Sequence, residues 1–201
     1  MRVVVPYTPI DPKSRLSPVL TGDERHAFSR VMLTDVLAAI RATGHTPEIL
    51  STTSLPAVDA PVHVDNRQLS DAVNAMLTPP MAVVMADLAL LTPDAVRATM
   101  DCQADVVIGP GRGGGTNLLI VRADGYMVDY HGNSLADHRR MAKEAGLEIA
   151  EIDSFRIATD VDEPSDLVEV LLHATGRARD WLIDHGFYLA ETNGRVAIDR
   201  E

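Results

Sequence analysis

Short apolar runs alternate with longer amphipathic segments along the whole chain, and this alternation limits the fold more than any other feature. Residues 3–5 form a continuous β-branched run, and residues 82–86 form an apolar run that is typical of a buried strand. Helix-start signals follow such runs; Thr21-Gly22-Asp23-Glu24, for example, has the spacing of a capping box. The alternation predicts an α/β protein in which helices pack on a sheet.

The same signals predict the order of the elements. Predicted strands cover residues 3–5, 48–51, 62–64, 82–86, 106–108, 118–121 and 149–152, and predicted helices cover 22–42, 69–77, 93–100, 134–145, 164–173 and 179–185. A hairpin is predicted from residues 188–190 and 196–198 around the Asn193-Gly194 turn. Because no linker divides the chain, we expect a single domain over residues 1–201, with about 176–201 as a C-terminal extension.

Composition excludes several classes of protein. A chain of 201 residues that is 46% hydrophobic can bury a core, which excludes a disordered protein. Its net charge of -11 argues against a nucleic-acid partner, because non-specific binding to nucleic acid requires a basic face. Cys102 is the single cysteine, and no apolar stretch approaches the roughly 18 residues of a membrane span. The first residues lack the pattern of a signal peptide, so we expect a cytoplasmic protein without a membrane partner.

The acidity is uneven and is carried mainly by aspartate. Residues 151–201 contain 12 acidic and 5 basic side chains, and so carry -7 of the net charge of -11. Asp outnumbers Glu by 20 to 9, and lysine occurs only at positions 13 and 143. This bias suggests the hypothesis that the chain folds in a high-salt cytosol. Equal folding and activity without added salt would contradict the hypothesis.

The loop after the first strand is the first candidate for a binding site. Ligands of open α/β sheets bind beyond the carboxyl ends of the strands, and residues 6–16 of this loop carry Lys13 and Arg15. The point charge of a lysine and the fork of an arginine suit a triphosphate. A solvated surface loop explains these residues equally well, and the glycine-rich loop GxxxxGK[ST] is absent.

Two acidic positions are candidates for a metal site. Asp87 directly follows the apolar run at 82–86, and Asp160 and Asp162 share one face if their segment is extended. Carboxylates in such positions can hold Mg²⁺, which takes one or two of them and completes its coordination with water and phosphate. Alternatively, Asp87 caps the next turn, and Asp162 interacts with the N-terminus of the helix predicted from Pro164.

A glycine-rich segment at residues 109–117 is a further candidate. Such a segment lets backbone approach a ligand closely and offers N–H groups to an anion, although a plain hairpin loop between strands is the alternative. Downstream, Ser134 is predicted to cap a helix whose N-terminus can also bind an anion. His138, one turn further, is expected to be an exposed or half-buried structural residue.

Taken together, these segments resemble the CofC family of 2-phospho-L-lactate guanylyltransferases, within the MobA-like nucleotidyltransferases. The matching segments run in order through almost the whole chain: Lys13-Ser14-Arg15-Leu16-Ser17, residues 83–88 (VVMADL), residues 113–118 (GGGTNL), Gly132-Asn133-Ser134 with His138, and residues 159–164 (TDVDEP). The combination of GGGTN with TDVDEP is the specific part. The resemblance implies a Rossmann-like α/β domain with a mixed, mostly parallel sheet flanked by helices, extended by a C-terminal helix and hairpin.

The resemblance also implies a reaction and a set of site residues. The reaction transfers GMP from GTP to 2-phospho-L-lactate, or to phosphoenolpyruvate in some relatives, and releases pyrophosphate as a step towards coenzyme F-420. The implied catalytic residues are Lys13, Arg15 and Asp87, and Mg²⁺ is implied at Asp87, Asp160 and Asp162. The implied nucleotide-binding residues are Pro6, Lys13, Arg15, Asp65, Leu69 and Ala86. The implied acceptor-binding residues are Gly114, Gly115, Thr116, Asn117, Gly132 and Ser134.

The sequence departs from the family pattern at two places, and two other functions are also compatible with it. Ser70 follows Leu69 where the family often has Asn, and the loop His131-Gly132-Asn133 lacks the two-glycine form of phosphoenolpyruvate-using relatives, which favours phospholactate. One alternative is a nucleotide-binding regulatory protein of the same fold without turnover. The other is a nucleotidyltransferase with a sugar-phosphate or molybdopterin acceptor, although the small GGGTN loop argues against a bulky pterin. The resemblance also favours a homodimer.

Overall fold

The computed structural model describes residues 1–192 and 194–201, and its centre is a seven-stranded sheet with the strand order β3-β2-β1-β4-β6-β5-β7. Its strands are β1 (Arg2–Tyr7), β2 (Pro47–Ser51), β3 (Val62–Val64), β4 (Met81–Val84), β5 (Val106–Pro110), β6 (Thr116–Val121) and β7 (Ile149–Glu151). Strand β6 is antiparallel to β4 and β5, whereas the other neighbouring strands are parallel. The expected mixed, mostly parallel sheet is therefore confirmed.

Helices cover both faces of the sheet because successive side chains of each strand point to opposite faces. The helices are α1 (Gly22–Arg41), α2 (Leu69–Met76), α3 (Pro93–Asp101), α4 (Ser134–Glu144), α5 (Phe155–Ala158), α6 (Asp166–His173) and α7 (Arg177–Asp184). On one face, Val3 and Val5 of β1 pack in a core with α1 and α3. On the other, Val4 belongs to a core with α2 and α4.

Local signals placed most helix ends correctly. Thr21 forms the predicted capping box with Glu24, and Thr92 caps α3, which begins at a proline. One predicted helix start needs correction, and two short elements were missed. Helix α6 begins at Asp166 instead of residue 164, because the Asp166 carboxylate accepts the backbone N–H groups of Asp162 and Glu163 and closes a turn there. The short helix α5 and a 3-10 turn, Ser14–Leu16, were not predicted.

The C-terminal extension is a helix followed by a separate two-stranded sheet. Strands β8 (Phe187–Thr192) and β9 (Arg195–Arg200) pair antiparallel, which confirms a hairpin, although Asn193 of the predicted turn lies outside the described residues. Asp35 of α1 accepts the N–H groups of Arg177 and Ala178 at the start of α7. The extension thus packs on α1. Within the described part of the chain, no helix is long and apolar enough to cross a membrane.

Candidate active site

A cleft of about 290 Å³ opens where the carboxyl ends of β1 and β4 meet, and we call it the central cleft. Strand β1 lies between β2, which follows it along the chain, and β4, so the strand order reverses between β1 and β4. Open α/β sheets bind ligands at such a reversal. Residues from both strand ends line the cleft, including Pro6 and Ala86, and the predicted catalytic residues Lys13, Arg15 and Asp87 lie there with them.

Lys13 lies between two carboxylates of the central cleft. Its Nζ donates to Asp87 Oδ2 at 2.5 Å and to Asp162 Oδ1 at 2.9 Å, and its side chain is 12% exposed. Burial lowers the pKa of Lys13, but the charges and hydrogen bonds of Asp87 and Asp162 outweigh burial and raise the pKa above its usual value. The ammonium is therefore charged and fixed in place. Its backbone has a φ of 53°, a left-handed conformation that turns the side chain into the cleft.

Arg15 extends the same ion-pair network to the rim of the cleft. Its Nη2 donates to Asp162 Oδ2 at 2.5 Å, and its Nη1 lies 3.5 Å from Glu163 Oε1. The loop that carries both cations is held by Arg25 of α1, whose Nη1 donates to Asp11 Oδ1 and to the Pro12 carbonyl, both at 2.8 Å. The sequence interpretation missed Arg25, because a single arginine on a helix face has no distinguishing pattern.

The three predicted metal-binding aspartates lie at this edge of the sheet. The N–H of Val161 donates to the Asp87 carbonyl, which holds the segment of Asp160 and Asp162 against the end of β4. Burial raises the pKa of Asp160, and the charges of Asp87 and Asp162 raise it further, although a hydrogen bond from Asn117 opposes them. The three carboxylates are thus close enough to interact electrostatically.

The carboxylates fit a divalent cation only in part. Asp87 Oδ1 is buried without a hydrogen-bond partner among the described residues, which leaves one carboxylate oxygen available as a ligand. However, nowhere in residues 1–192 and 194–201 are three or more His, Cys, Asp or Glu side chains arranged to hold a metal. The Lys13 ammonium lies between Asp87 and Asp162 instead. Since Mg²⁺ needs only one or two protein carboxylates, the donor set suits that ion, but the three-aspartate arrangement is not assembled.

A second cleft of about 350 Å³, the apolar cleft, adjoins the central cleft. The two clefts share Pro6, Tyr7, Thr8 and Met85, and the predicted nucleotide-binding residues Asp65 and Leu69 line the apolar cleft. Hydrogen bonds from Arg67 hold Asp65 and lower the pKa of its carboxyl to about 2. The apolar cleft thus has mainly hydrophobic walls with the Asp65–Arg67 ion pair at its edge, which suits a nucleoside.

Ser70, which departs from the family pattern, does not line either cleft. Its side chain is buried, and its Oγ accepts the backbone N–H of Tyr130. Ser70 therefore joins α2 to the loop before α4.

A third cleft of about 440 Å³, the acidic cleft, adjoins the central cleft on the other side. It shares Arg15 and Asp162 with the central cleft, and Arg112, Gly113 and Asp160 also line it. The hairpin loop between β5 and β6 thus reaches the same groove as the cations. Gly114 in this loop has a φ of +83°, and a Cβ there would lie 3.4 Å from Asn133 Oδ1, so glycine suits this position.

Thr116 and Asn117 do not present their side chains to the groove. Both are buried; Thr116 Oγ1 hydrogen-bonds His138 Nδ1 at 2.9 Å, and Asn117 Nδ2 donates to the Ile157 carbonyl and to Asp160 Oδ1. A Cβ on Gly111 would lie 2.7 Å from Asn117 Oδ1, so the glycine makes room for this amide. Asn117 therefore orients a predicted metal ligand, a role that the sequence did not indicate.

The predicted helix cap at Ser134 is wrong. Asn133 is the N-cap of α4, because its side chain accepts the N–H of Ala136, whereas Ser134 is the first helical residue and is buried. The N–H of Leu135 donates to the Gly114 carbonyl, which joins the glycine loop to α4. Gly132 is exposed with a φ of +59°.

His138 is fully buried, in contrast to the expected exposed or half-buried position, and its role is structural. Its Nε2 accepts the N–H of Asp129, so Nδ1 carries the proton and donates to Thr116. Burial lowers the pKa of His138 to about 4. The ring is therefore neutral at pH 7.

The low pKa of His138 predicts a loss of stability in mild acid. In the unfolded chain this ring titrates near 6.5, so the unfolded state binds more protons between pH 6.5 and 4. The free energy of unfolding should therefore fall by about 3 kcal/mol from this group as the pH drops through that window. Urea unfolding of wild type and His138→Gln at pH 7, 6, 5 and 4.5 measures the difference. An identical pH dependence of both proteins would contradict it.

A Rossmann-like sheet with a cationic loop and interacting aspartates at its reversal point is an arrangement that nucleotidyltransferases use, and the comparisons with known proteins assign the chain to that class. The fold matches solved structures: a Desulfovibrio desulfuricans G20 protein, provisionally described as a nucleotide-diphospho-sugar transferase, has a TM-score of 0.76 at 15% identity and covers 92% of this chain and 96% of its own. The profile of the family described as "Guanylyl transferase CofC like" matches residues 1–197, and the chain belongs to this family.

Full-length relatives bear a common name. A Natronomonas pharaonis protein is 55% identical over 200 residues, with 100% of this chain and 99% of the relative covered. A Halomicrobium mukohataei protein is 53% identical over 203 residues, with 100% of both chains covered. Both relatives are named 2-phospho-L-lactate guanylyltransferase.

Proposed function

We propose that this chain transfers GMP from GTP to 2-phospho-L-lactate and releases pyrophosphate, a step of coenzyme F-420 biosynthesis. Membership of the CofC-like family and the name shared by its full-length relatives support this reaction. The structural observation that supports the proposal most is that the three clefts are continuous. The central cleft shares lining residues with the apolar cleft on one side and the acidic cleft on the other.

This continuity suggests a placement for both substrates. The guanosine would occupy the apolar cleft beside Asp65 and Leu69, and the triphosphate would extend into the central cleft towards Lys13 and Arg15. The acceptor would enter from the acidic cleft, next to the glycine loop. Its phosphate oxygen would then meet the α-phosphate of GTP where the acidic cleft joins the central cleft.

The reaction requires orientation and charge neutralisation more than proton transfer. The acceptor phosphate is already ionised, so its oxygen can attack the α-phosphorus without a general base, while the bond to the β-phosphate breaks. Lys13 and Arg15 would stabilise the charge on the departing pyrophosphate. A divalent cation such as Mg²⁺ would neutralise phosphate oxygens, with the unpaired Oδ1 of Asp87 as a ligand. Asp160 and Asp162 would join it once the Lys13 ammonium moved from between the carboxylates to the phosphates. Asn117 would keep Asp160 oriented for that role.

Pyrophosphate release tests the proposal directly. The protein is incubated with GTP, ATP or CTP, magnesium, and 2-phospho-L-lactate, phosphoenolpyruvate or a sugar phosphate as acceptor. We expect release with GTP and 2-phospho-L-lactate, and less than about 1% of that rate after chelation of the metal, since charge neutralisation supplies several kcal/mol to such reactions. GTP binding without release for any acceptor would favour the regulatory-protein alternative. Release with only a sugar-phosphate or pterin acceptor would favour the other alternative.

The quaternary structure and location are further proposals. Apolar side chains on the C-terminal hairpin are exposed, including Tyr188, Leu189 and Val196, and they would pair two copies of the chain. Light scattering that gives the monomer mass at micromolar concentration would contradict the homodimer. With GTP and a small phosphorylated acid as partners, we place the protein in the cytoplasm, without nucleic acid or membrane.

A further inference from the structure

The acceptor side of the groove lacks a cation among the residues assigned to it. 2-Phospho-L-lactate carries a phosphate and a carboxylate, both ionised at neutral pH. Every assigned acceptor residue is uncharged: Gly114, Gly115, Thr116, Asn117, Gly132 and Ser134. Thr116 and Asn117 also use their side chains in internal hydrogen bonds. A substrate with two ionised groups, bound by these residues alone, would lose hydration without a compensating charge.

Besides Arg15, which is assigned to the pyrophosphate, Arg112 is the cation that lines the acidic cleft. It lies at the tip of the β5–β6 hairpin, and its backbone N–H donates to the Ala158 carbonyl, which anchors its position. Its side chain is 45% exposed and lines the acidic cleft with Arg15 and Gly113. The central cleft, in contrast, is not lined by Arg112.

The guanidinium of Arg112 is held by a single carboxylate, that of Asp166. Among the described residues it makes one side-chain contact, from Nη2 to Asp166 Oδ1 at 2.9 Å. The other carboxylate oxygen of Asp166 already accepts the N–H groups of Asp162 and Glu163. Asp166 would therefore keep its structural bonds without Arg112.

The neighbouring backbone adds donors to the same place. Of the N–H groups in the hairpin loop, those of Gly111 and Gly114 hydrogen-bond within it, at 2.9 and 3.1 Å. Those of Gly113 and Gly115 have no partner within residues 1–192 and 194–201. Arg112 thus stands next to two unused N–H groups, a combination that suits an anion.

The carboxylates of the acidic cleft do not remove the need for this cation. Asp162 is paired with Lys13 and Arg15, and Asp160 accepts from Asn117. An acidic wall repels an incoming anion unless a cation of the same cleft can bind it. Arg112 is the cation whose single carboxylate partner is held independently by backbone N–H groups.

We propose that Arg112 is the acceptor-selecting residue: on substrate binding its guanidinium exchanges Asp166 for the carboxylate of the phosphorylated acid. This inference rests on the proposed function. The carboxylate is the assigned group because the acceptor phosphate must react in the central cleft, which Arg112 does not line. A planar guanidinium also matches a carboxylate through two parallel hydrogen bonds.

Steady-state kinetics of Arg112→Gln test the proposal, with pyrophosphate release as the readout and 2-phospho-L-lactate as the varied substrate. We expect the KM for the acceptor to rise about tenfold or more, the effect of losing a charge-assisted pair. The kcat and the Kd for GTP, measured by calorimetry, should stay within about twofold of wild type. Arg112→Lys should recover part of the affinity, because the charge remains while the fork is lost.

Two controls separate binding from structure. Arg97→Gln is the matched control, because Arg97 is similarly exposed, at 49%, and its Nη2 is also paired with one carboxylate, that of Asp94. Arg97 lines none of the three clefts, so the kinetics of this variant should equal those of wild type. Ethyl phosphate lacks a carboxylate, so its inhibition constant against 2-phospho-L-lactate should be the same for wild type and Arg112→Gln.

The outcomes are distinguishable. An active wild type whose acceptor KM is unchanged in Arg112→Gln overturns the role of Arg112 and leaves the proposed function intact. Equal weakening of ethyl phosphate and phospholactate overturns the carboxylate assignment, as does an equal loss of GTP affinity. A wild type that neither binds 2-phospho-L-lactate nor releases pyrophosphate overturns both proposals.

Discussion

Asp87→Asn is expected to lower kcat for guanylyl transfer by about 10³-fold, the upper part of the range found when one preorganised charge-stabilising group is removed from an active site. Asp87 Oδ1 is buried and unpaired among the described residues, and Oδ2 accepts from Lys13. The amide keeps the shape of the carboxylate but removes its charge. The substitution thereby removes both a proposed metal ligand and the carboxylate that pairs with Lys13. The rate of pyrophosphate release at saturating GTP and acceptor measures the effect.

The fold should survive this substitution, which separates chemistry from stability. Lys13 keeps its second partner, Asp162, so the Tm of Asp87→Asn should stay within a few degrees of wild type. Asp94→Asn is the matched control, because Asp94 is an exposed aspartate of α3 paired with Arg97. Its rate should be unchanged. A rate for Asp87→Asn within about fivefold of wild type would contradict the assignment of Asp87 to the reaction.

Lys13→Met is expected to lower both turnover and stability. The substitution removes the ammonium that would stabilise pyrophosphate, so kcat should fall by about 10²- to 10³-fold. It also leaves Asp87 and Asp162 facing each other without a cation. These carboxylates are partly solvated, so we expect a loss of about 1–3 kcal/mol in the free energy of unfolding, less than for a fully buried pair. Urea unfolding and pyrophosphate release measure the two effects.

The chain contains its own control for this prediction. Lys143 is the only other lysine, and it is exposed near the C-terminus of α4, so Lys143→Met should match wild type in both measurements. A double variant, Lys13→Met with Asp162→Asn, should recover stability without recovering turnover, since one unpaired charge is removed. If turnover of Lys13→Met equals that of Lys143→Met, Lys13 has no role in the reaction.

Several features of the fold could be predicted because their causes are local. The β-branched run at residues 3–5 and the capping box from Thr21 to Glu24 carry their own structural preference, and the structure confirms both. The short helix α5 could not be predicted, because its four residues, Phe155–Ala158, show no helical period. The start of α6 at Asp166 depends on a side chain that accepts N–H groups three and four residues earlier.

The candidate site was predictable where function follows from position at a strand end. Lys13 and Asp87 follow β1 and β4. Since open α/β sheets bind ligands at the carboxyl ends of their strands, this position made both residues candidates for the site. Arg112 has the same kind of position, after β5. It was not singled out, because the glycines around it directed attention to the backbone N–H groups of this loop and not to its charged side chain. The contact between Asn117 and Asp160 could not be predicted, since nothing in the neighbours of Asn117 along the chain indicates that its amide is buried against Asp160.

By itself, the sequence determined most of the strands and helices, the family, and the residues available for chemistry. It could do so because apolar periodicity, caps and ordered motifs are properties of neighbouring residues. Only the tertiary structure decided how the charges are paired. Lys13 reaches Asp162 across 149 positions of the chain, and Arg112 reaches Asp166 across 54. Such partners are chosen by the order of strands in the sheet, which converges their carboxyl ends on one groove. Electrostatic interaction depends on distance in space, so no local pattern could specify these pairs.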